Sequence, residues 1–461
     1  MELIWLILIP LFAALLLLAL PQVRTIAFLL SLIPLVLLVS GKLIDTASYS
    51  WFSPLSINFA LKLDAISWIF LLLTSIIIPI SIAVSDRDYP NSFFALILLT
   101  QTLLNGFFLA NDLVVFLIFW EAMLLPIFFI ISVWGGEKRK KAALQFLLYM
   151  IAGSALMIAG VLAVYFTAKT FDLTQLSAIK YAPWIALVFL LAFAVKTPLF
   201  PFHAWLAEAY TEAPLAGTII LSGLLSKAGI YGIVRIAYPL FNDWMIVFAP
   251  YLIALAVIGV FYGALLAWSE NDYKRLIAYS SFSHVNFILV GLFIAIEPSL
   301  TGSTLQAFNH GVTITALFIV AYWLEERLGS REIGPVKGMM KFLPRLGWLT
   351  LFFVLSSVAL PGTNSFIGEL LILLGAIKYN FWLAAILVLS VILSVVYMLR
   401  FMQKVYFEEP TFFRDRWIDI GLKEYLVVIP LIFLVLWVGL YPAPLIKQLE
   451  SVFVTWKAPV V

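Results

Sequence analysis

Apolar runs of about 20 residues, each closed by a turn signal or a charge, recur along the whole chain. That is the length a helix needs to cross a hydrocarbon layer of roughly 30 Å. The pattern predicts fourteen spans: Leu3–Leu20, Thr25–Val39, Asp64–Val84, Ser92–Leu109, Leu113–Val133, Ala142–Phe166, Ala182–Trp205, Leu215–Ala237, Met245–Trp268, Leu276–Ile296, Thr304–Leu324, Leu346–Ile377, Trp382–Lys404 and Glu424–Tyr441. Two of them are interrupted, the seventh by Pro198 and Pro201 and the twelfth by Pro361. The expected fold is an all-α polytopic membrane protein.

Spans five to seven resemble spans ten to twelve. Asn111-Asp112 matches Asn271-Asp272, Leu144-Gln145 matches Leu305-Gln306, Ala155-Leu156 matches Ala316-Leu317, and Pro198 matches Pro361, at offsets of 160 to 163 residues. Copies separated by an odd number of spans enter a membrane in opposite directions. This predicts two inverted repeats, each carrying a discontinuous helix, as in ion translocators. No linker or shift in composition divides the chain. A single membrane domain over 1–461 is expected, with N-terminal helices in about 1–90, a first repeat in 91–240, a second in 241–405, and a last helix with the C-terminus in 406–461.

Composition agrees with this reading. Of 461 residues 64% are hydrophobic and 11% charged, with a mean hydropathy of +1.09, far from the balance of a soluble domain. Cysteine is absent, which excludes disulfides, iron–sulfur clusters and thiolate metal sites within this chain. A net charge of +3 and the lack of phosphate-cradling motifs point away from nucleic acid. The first segment, MELIWLILIPLFAALLLLAL, carries Glu2 where a signal peptide would carry a basic flank, so it is expected to be a retained span.

Lysine and arginine are unevenly shared between the alternating loops. One set, from Arg24 and Arg87 through Lys138–Lys141 to Arg414, Arg416 and Lys423, holds 18; the other, from Lys42 to Lys457, holds 8. By the positive-inside rule both termini are expected outside, with the protein in the cell's inner (cytoplasmic) membrane. The remaining two basic residues, Lys196 and Lys227, fall inside spans.

A charge at the bilayer centre costs roughly 2.5–3.5 kcal/mol on insertion scales, so intramembrane charges need a reason. Glu121 in LIFWEAMLLP, Lys196 beside the first break, Lys227 in LSGLLSKAGIYG and Glu369 in PGTNSFIGELLIL are the candidates, and His284 and His310 add groups that titrate near neutrality. A buried Glu–Lys pair is a two-state element: both charged when together, and able to exchange a proton when apart. Plainer readings are a snorkelling Lys196, a merely neutralising Glu121 and a satisfied core His310. His203 is expected to pack, and Glu208 and Glu212 to lie in a solvated loop.

The segments FWEAMLLP, WGGEKRKKAALQFLLYMIAGSALM, FAVKTPLFPFHAWLAEAYTEAPLAGTIILSGLLSKAGIYGIVR, NDYKRLIAYSSFSHVNFILVG and LPGTNSFIGELLILLG resemble the antiporter-like proton-pumping subunits of respiratory complex I. Within that superfamily a glutamate at position 369, where other branches carry lysine, is similar to the M-type (chain 4) branch of NADH-quinone oxidoreductase. The resemblance implies fourteen helices with two inverted five-helix repeats, helices 4–8 and 9–13. It makes Glu121 the helix 5 glutamate, Lys196 its partner on broken helix 7, Lys227 the central lysine of helix 8, His284 and His310 members of a connecting path, and Glu369 the terminal site on broken helix 12. It further implies that this chain holds no cofactor. NADH, flavin, iron–sulfur clusters and quinone belong to partner subunits, and L-type and N-type antiporter-like subunits, a peripheral redox arm and lipid are its neighbours. The alternatives are a subunit of a cation/proton antiporter or of a membrane-bound hydrogenase-type complex, and a structural spacer that conducts nothing.

Overall fold

The computed structural model describes residues 1–19, 24–177, 179–334, 337–410 and 417–453. Leu20, Arg414, Arg416 and Lys457, which enter the expectations above, lie outside the described residues. The chain forms two compact units, one of Met1–Pro198 with Glu212–Ala249, the other of Leu199–Thr211 with Pro250–Val461.

The first unit opens with helices α1 (Trp5–Ala19), α2 (Arg24–Ser31) and α3 (Ile33–Val39), followed by an antiparallel hairpin of β1 (Thr46–Phe52) and β2 (Ile57–Lys62). Then come α4 (Ala65–Val84), α5 (Asn91–Leu109), α6 (Leu113–Ala122), α7 (Leu124–Trp134), α8 (Arg139–Ala168), the short α9 (Leu173–Leu176) and α10 (Pro183–Lys196). α11 (Ala204–Glu212) belongs to the second unit up to Thr211, after which, in the first unit, α12 (Leu215–Ile220) and α13 (Ser226–Gly232) form one rod with π-helical turns at Leu221–Leu225 and Ile233–Ala237. α14 (Tyr238–Ser269), kinked at Phe241 where the backbone leaves helical geometry, carries the chain from the first unit into the second.

The second unit contains α15 (Tyr273–Ile294), α16 (Glu297–Leu328), α17 (Pro344–Ser357), α18 (Asn364–Tyr379), α19 (Phe381–Met402), α20 (Leu422–Leu440) and α21 (Ala443–Phe453). Among the described residues nine helices, some continuous across a π turn or a short break, are long and apolar enough to cross a membrane, with shorter apolar helices at Trp5–Ala19, Arg24–Val39 and Pro183–Lys196. α15 and α16 are almost wholly buried, whereas α8, α19 and α20 turn rows of leucine, isoleucine and phenylalanine outward, as lipid-facing helices do.

Helix starts follow from side chains that satisfy orphan backbone donors. Asp64 caps α4 in a reciprocal arrangement with Ser67. Asp112 accepts from the amides of Val114 and Val115 at the head of α6, and Asp272 from those of Lys274 and Arg275 at the head of α15. The last two of these caps also sit in one-residue β-bridges, Asp112 with Asp172 and Asp272 with Glu332. The main-chain bonds match as well: Leu113 donates to Phe171 and Leu173 to Asn111, as Tyr273 donates to Arg331 and Ile333 to Asn271. One local construction therefore recurs in both units at the spacing read from the sequence.

A polar staple closes the first unit. Arg235, in the second π turn, donates to Asp64 at 2.5 Å and to Asn111 at 3.3 Å, and Tyr231 one turn earlier donates its hydroxyl to the Phe108 carbonyl at 2.6 Å.

The hairpin and the amphipathic α21 were not expected from hydropathy. Glu212 also departs from the solvated position expected of it, since it is buried and accepts from the Lys138 amide at 2.8 Å. Glu208 pairs with Arg275 at 2.9 Å. His203 packs as expected, stacked on Phe282 with ring centroids 4.5 Å apart.

Candidate functional site

Charges in the first unit collect where helices break. Pro126 has no amide to offer the Ala122 carbonyl, and the fifth apolar run accordingly divides at Met123 into α6 and α7. The last turn of α6 is thus short of donors, and it carries Trp120 and Glu121. Lys196 ends α10 just before the first proline break and is only 2% exposed. Its ammonium donates to the Trp120 carbonyl at 2.9 Å and lies 3.6 Å from the centroid of the Trp120 ring. A cation at a helix C-terminus also meets the negative end of the helix dipole.

Glu121 and Lys196 do not close into a contact ion pair. The Oε1 of Glu121 is buried without a hydrogen-bond partner, and the lysine faces the neighbouring tryptophan instead. The structure brings the two residues onto facing helix ends and holds their charges apart.

Lys227 is 0% exposed, on the α13 turn between the two π segments. A π turn widens the ladder to i+5, and Lys227 uses that opening: its ammonium donates to the Ser222 carbonyl, five residues back, at 2.5 Å and to the Ser226 hydroxyl at 3.1 Å. Its helix approaches α10 closely. A Cβ on Gly229 would stand 2.8 Å from the Phe193 carbonyl oxygen and collide with the Thr197 hydroxyl.

A second cluster lies in the second unit. α17 ends at Ser357 and α18 starts at Asn364, so the predicted interruption near Pro361 is present. Glu369, one helical turn beyond, faces His284 Nδ1 at 3.3 Å and accepts from the Gln306 side-chain amide at 3.3 Å. His284 and His310 have ring centroids 6.1 Å apart. Both rings border a cavity of about 10 Å³ with Ser280, Gln306 and Thr313, roughly the volume one water requires.

Around this cluster runs an uncharged network that the sequence reading did not single out. Asn309 donates to the Asn364 carbonyl at 2.8 Å, and Asn364 donates back to the Asn309 carbonyl at 3.1 Å. Ser356 donates to Asn364 Oδ1 at 2.8 Å, and Ser280 and Tyr397 share a hydrogen bond of 2.9 Å. Six residues predicted from the sequence thus fall into two groups, with Glu121, Lys196 and Lys227 in one unit and His284, His310 and Glu369 in the other. Among the described residues no group of three or more His, Asp or Glu side chains is placed to hold a metal ion.

Comparison with known proteins gives a consistent result. A family described as NADH:quinone oxidoreductase/Mrp antiporter, TM matches residues 110–395. NADH-ubiquinone oxidoreductase chain 4 of Marchantia polymorpha is 36% identical over 425 residues, covering 88% of this chain and 85% of that one. NADH-quinone oxidoreductase subunit M of Rickettsia prowazekii is 37% identical over 408 residues, covering 86% and 82%. Among solved structures, a chain of respiratory complex I from Thermus thermophilus with bound NADH superposes with a TM-score of 0.91 at 33% identity over 98% of both chains. A chain of the Mrp complex from a Dietzia species gives 0.89 at 22% identity over 99% of this chain and 97% of that one, a likeness of fold alone.

Proposed function

Since the chain belongs to the NADH:quinone oxidoreductase/Mrp antiporter transmembrane family, we propose that it is the M-type, proton-translocating membrane subunit of a complex I-type NADH-quinone oxidoreductase. It contributes no redox centre. NADH, flavin, iron–sulfur clusters and quinone are held by partner subunits, and L-type and N-type antiporter-like subunits flank it in the membrane arm. The inner membrane is its site, with both termini outside, a reading supported by the 18-to-8 division of basic residues between alternating loops. The chain has fourteen spans in this reading, and the matching caps at Asp112 and Asp272 support two inverted repeats within it.

One observation carries the mechanism: two lysines, 2% and 0% exposed, have their ammonium groups lodged against backbone carbonyls at helix irregularities. Burial makes the charged state of a lysine dependent on its neighbours, so such a site can bind or release a proton as those neighbours change. In this reading a proton taken up from the cytoplasmic side reaches Lys227. Its charge state is coupled to the Lys196–Glu121 element, and transfer proceeds by way of His284 and His310 to Glu369 and the outside. Electron flow in the partner subunits drives the cycle.

The test uses the whole complex reconstituted into vesicles. Lys227→Ala and Glu121→Ala should each lower proton pumping and the coupled quinone reductase rate by about tenfold or more, while the assembled complex retains its flavin. Glu121→Asp should be milder. Normal pumping in either alanine variant would sink the assignment. Isolation with only small hydrophobic partners, together with sodium-dependent activity, would point to an antiporter instead.

A further inference from the structure

Trp120 is 2% exposed and fixed on several sides. Phe116 stacks on it at 6.0 Å, Phe193 meets it edge-on at 5.7 Å, and Phe107 lies 5.8 Å away. A side chain packed this way keeps one rotamer. Lys196, in contrast, carries its charge on a four-carbon stem able to swing between acceptors.

Two acceptors compete for that ammonium, one in contact with it and one not. One is the Trp120 ring face together with its carbonyl, at 3.6 and 2.9 Å. The other is the Glu121 carboxylate, on the next residue of the same helix end, whose Oε1 has no hydrogen-bond partner. Successive helical residues point about 100° apart, so the two alternatives are distinct directions rather than one diffuse site. Away from water a cation over an indole face is held firmly enough to compete with a pairing that must be made and broken in each cycle.

We propose that Trp120 is a positioning residue that holds the Lys196 ammonium off Glu121, setting the open arrangement of the Glu–Lys element. The proposal rests on the proton-translocating reading above. It assigns Trp120 a role in timing: the ring competes with the carboxylate for one cation, and this competition decides how readily the pair closes. Trp120 itself carries no proton.

The test replaces Trp120 in the intact, vesicle-reconstituted complex by mono-, di- and trifluorinated tryptophan. These keep the ring's shape while progressively weakening its negative face. Pumping rate should fall in steps, by about tenfold across the series, with flavin content and assembly unchanged; Trp120→Phe should fall between the native protein and Trp120→Leu. A flat or rising fluorine series alongside a defective Trp120→Leu would make the residue a packing element and overturn the proposal. Lys196→Met separates the two levels: full pumping there removes the underlying function, whereas a defective Lys196→Met with a flat series removes only the role given to Trp120.

Discussion

Ser356 donates its hydroxyl to the side-chain oxygen of Asn364 at 2.8 Å, bridging the two halves of an interrupted span. The Asn364 side-chain amide donates to the Asn309 carbonyl, and Thr313 reaches the same Asn364 oxygen at 3.3 Å. The break is thereby a defined joint, with its loose backbone and hydroxyl groups gathered by one asparagine. Asn364→Ala should take a buried partner from Ser356, Thr313 and the Asn309 carbonyl and cost about 1–3 kcal/mol. Thermal unfolding of the purified complex would register this as a lower midpoint, and an unchanged midpoint would mean the joint is held by packing alone.

Glu369 is the acidic end of the second cluster. Glu369→Gln keeps an oxygen for Gln306 but removes the charge facing His284. Pumping should drop by about tenfold or more, with assembly and cofactor content intact. Normal pumping in this variant would place the outlet elsewhere.

Close approach of α13 to α10 depends on Gly229. Alanine there would meet the Phe193 carbonyl and Thr197 hydroxyl, both tied into the end of α10. Overpacking at such a contact costs about 1–3 kcal/mol. Reduced assembly of Gly229→Ala, with partial recovery when combined with Thr197→Ala, is the expected pattern. No recovery would indicate that the backbone carbonyl, not the hydroxyl, sets the limit.

Asp112 lies outside the spans, at the head of α6. Burial pushes its carboxyl up from 3.8 to about 6, helped by the nearby Asp172 and opposed by amides of Val114, Val115 and Asn58. With the folded-state value above the unfolded one, the folded protein binds the extra proton between about pH 4 and 6, so this group favours folding as pH falls and disfavours it above the window. Asp112→Asn retains a capping oxygen without the charge. It should raise the thermal midpoint clearly at pH 7.5 and much less at pH 4.5, and a gain independent of pH would contradict this assignment.

Much of the fold was legible because two strong signals coincide: apolar runs of membrane length and aspartates at their starts. Asp64, Asp112 and Asp272 mark helix heads in the structure as they mark run boundaries in the sequence. All six candidate site residues were visible as ionisable groups in apolar surroundings. Gln306, Asn309 and Asn364 were not, since neutral amides give no comparable alarm in a hydropathy reading and show their role only through partners distant in sequence. The break after Ala122 was implicit in Pro126, but an uninterrupted apolar run concealed it. The π turns around Lys227 leave composition and hydropathy unchanged while altering the hydrogen-bond ladder. The hairpin's strands are too short to stand out against the loops around them. In α21 the buried Leu445, Leu449 and Phe453 recur every four residues, a pattern that periodicity could have caught and mean hydropathy could not.

The bond between Asp64 and Arg235 spans 171 positions of chain. During synthesis the carboxylate at position 64 leaves the ribosome long before its cation exists, with Lys62, 3.7 Å away in the finished protein, as its nearest substitute. The first bundle therefore gains this clasp only once translation has passed residue 235. A message cut short of that point would yield a set of inserted helices lacking their clasp, exposed to quality control however well each one crosses the bilayer.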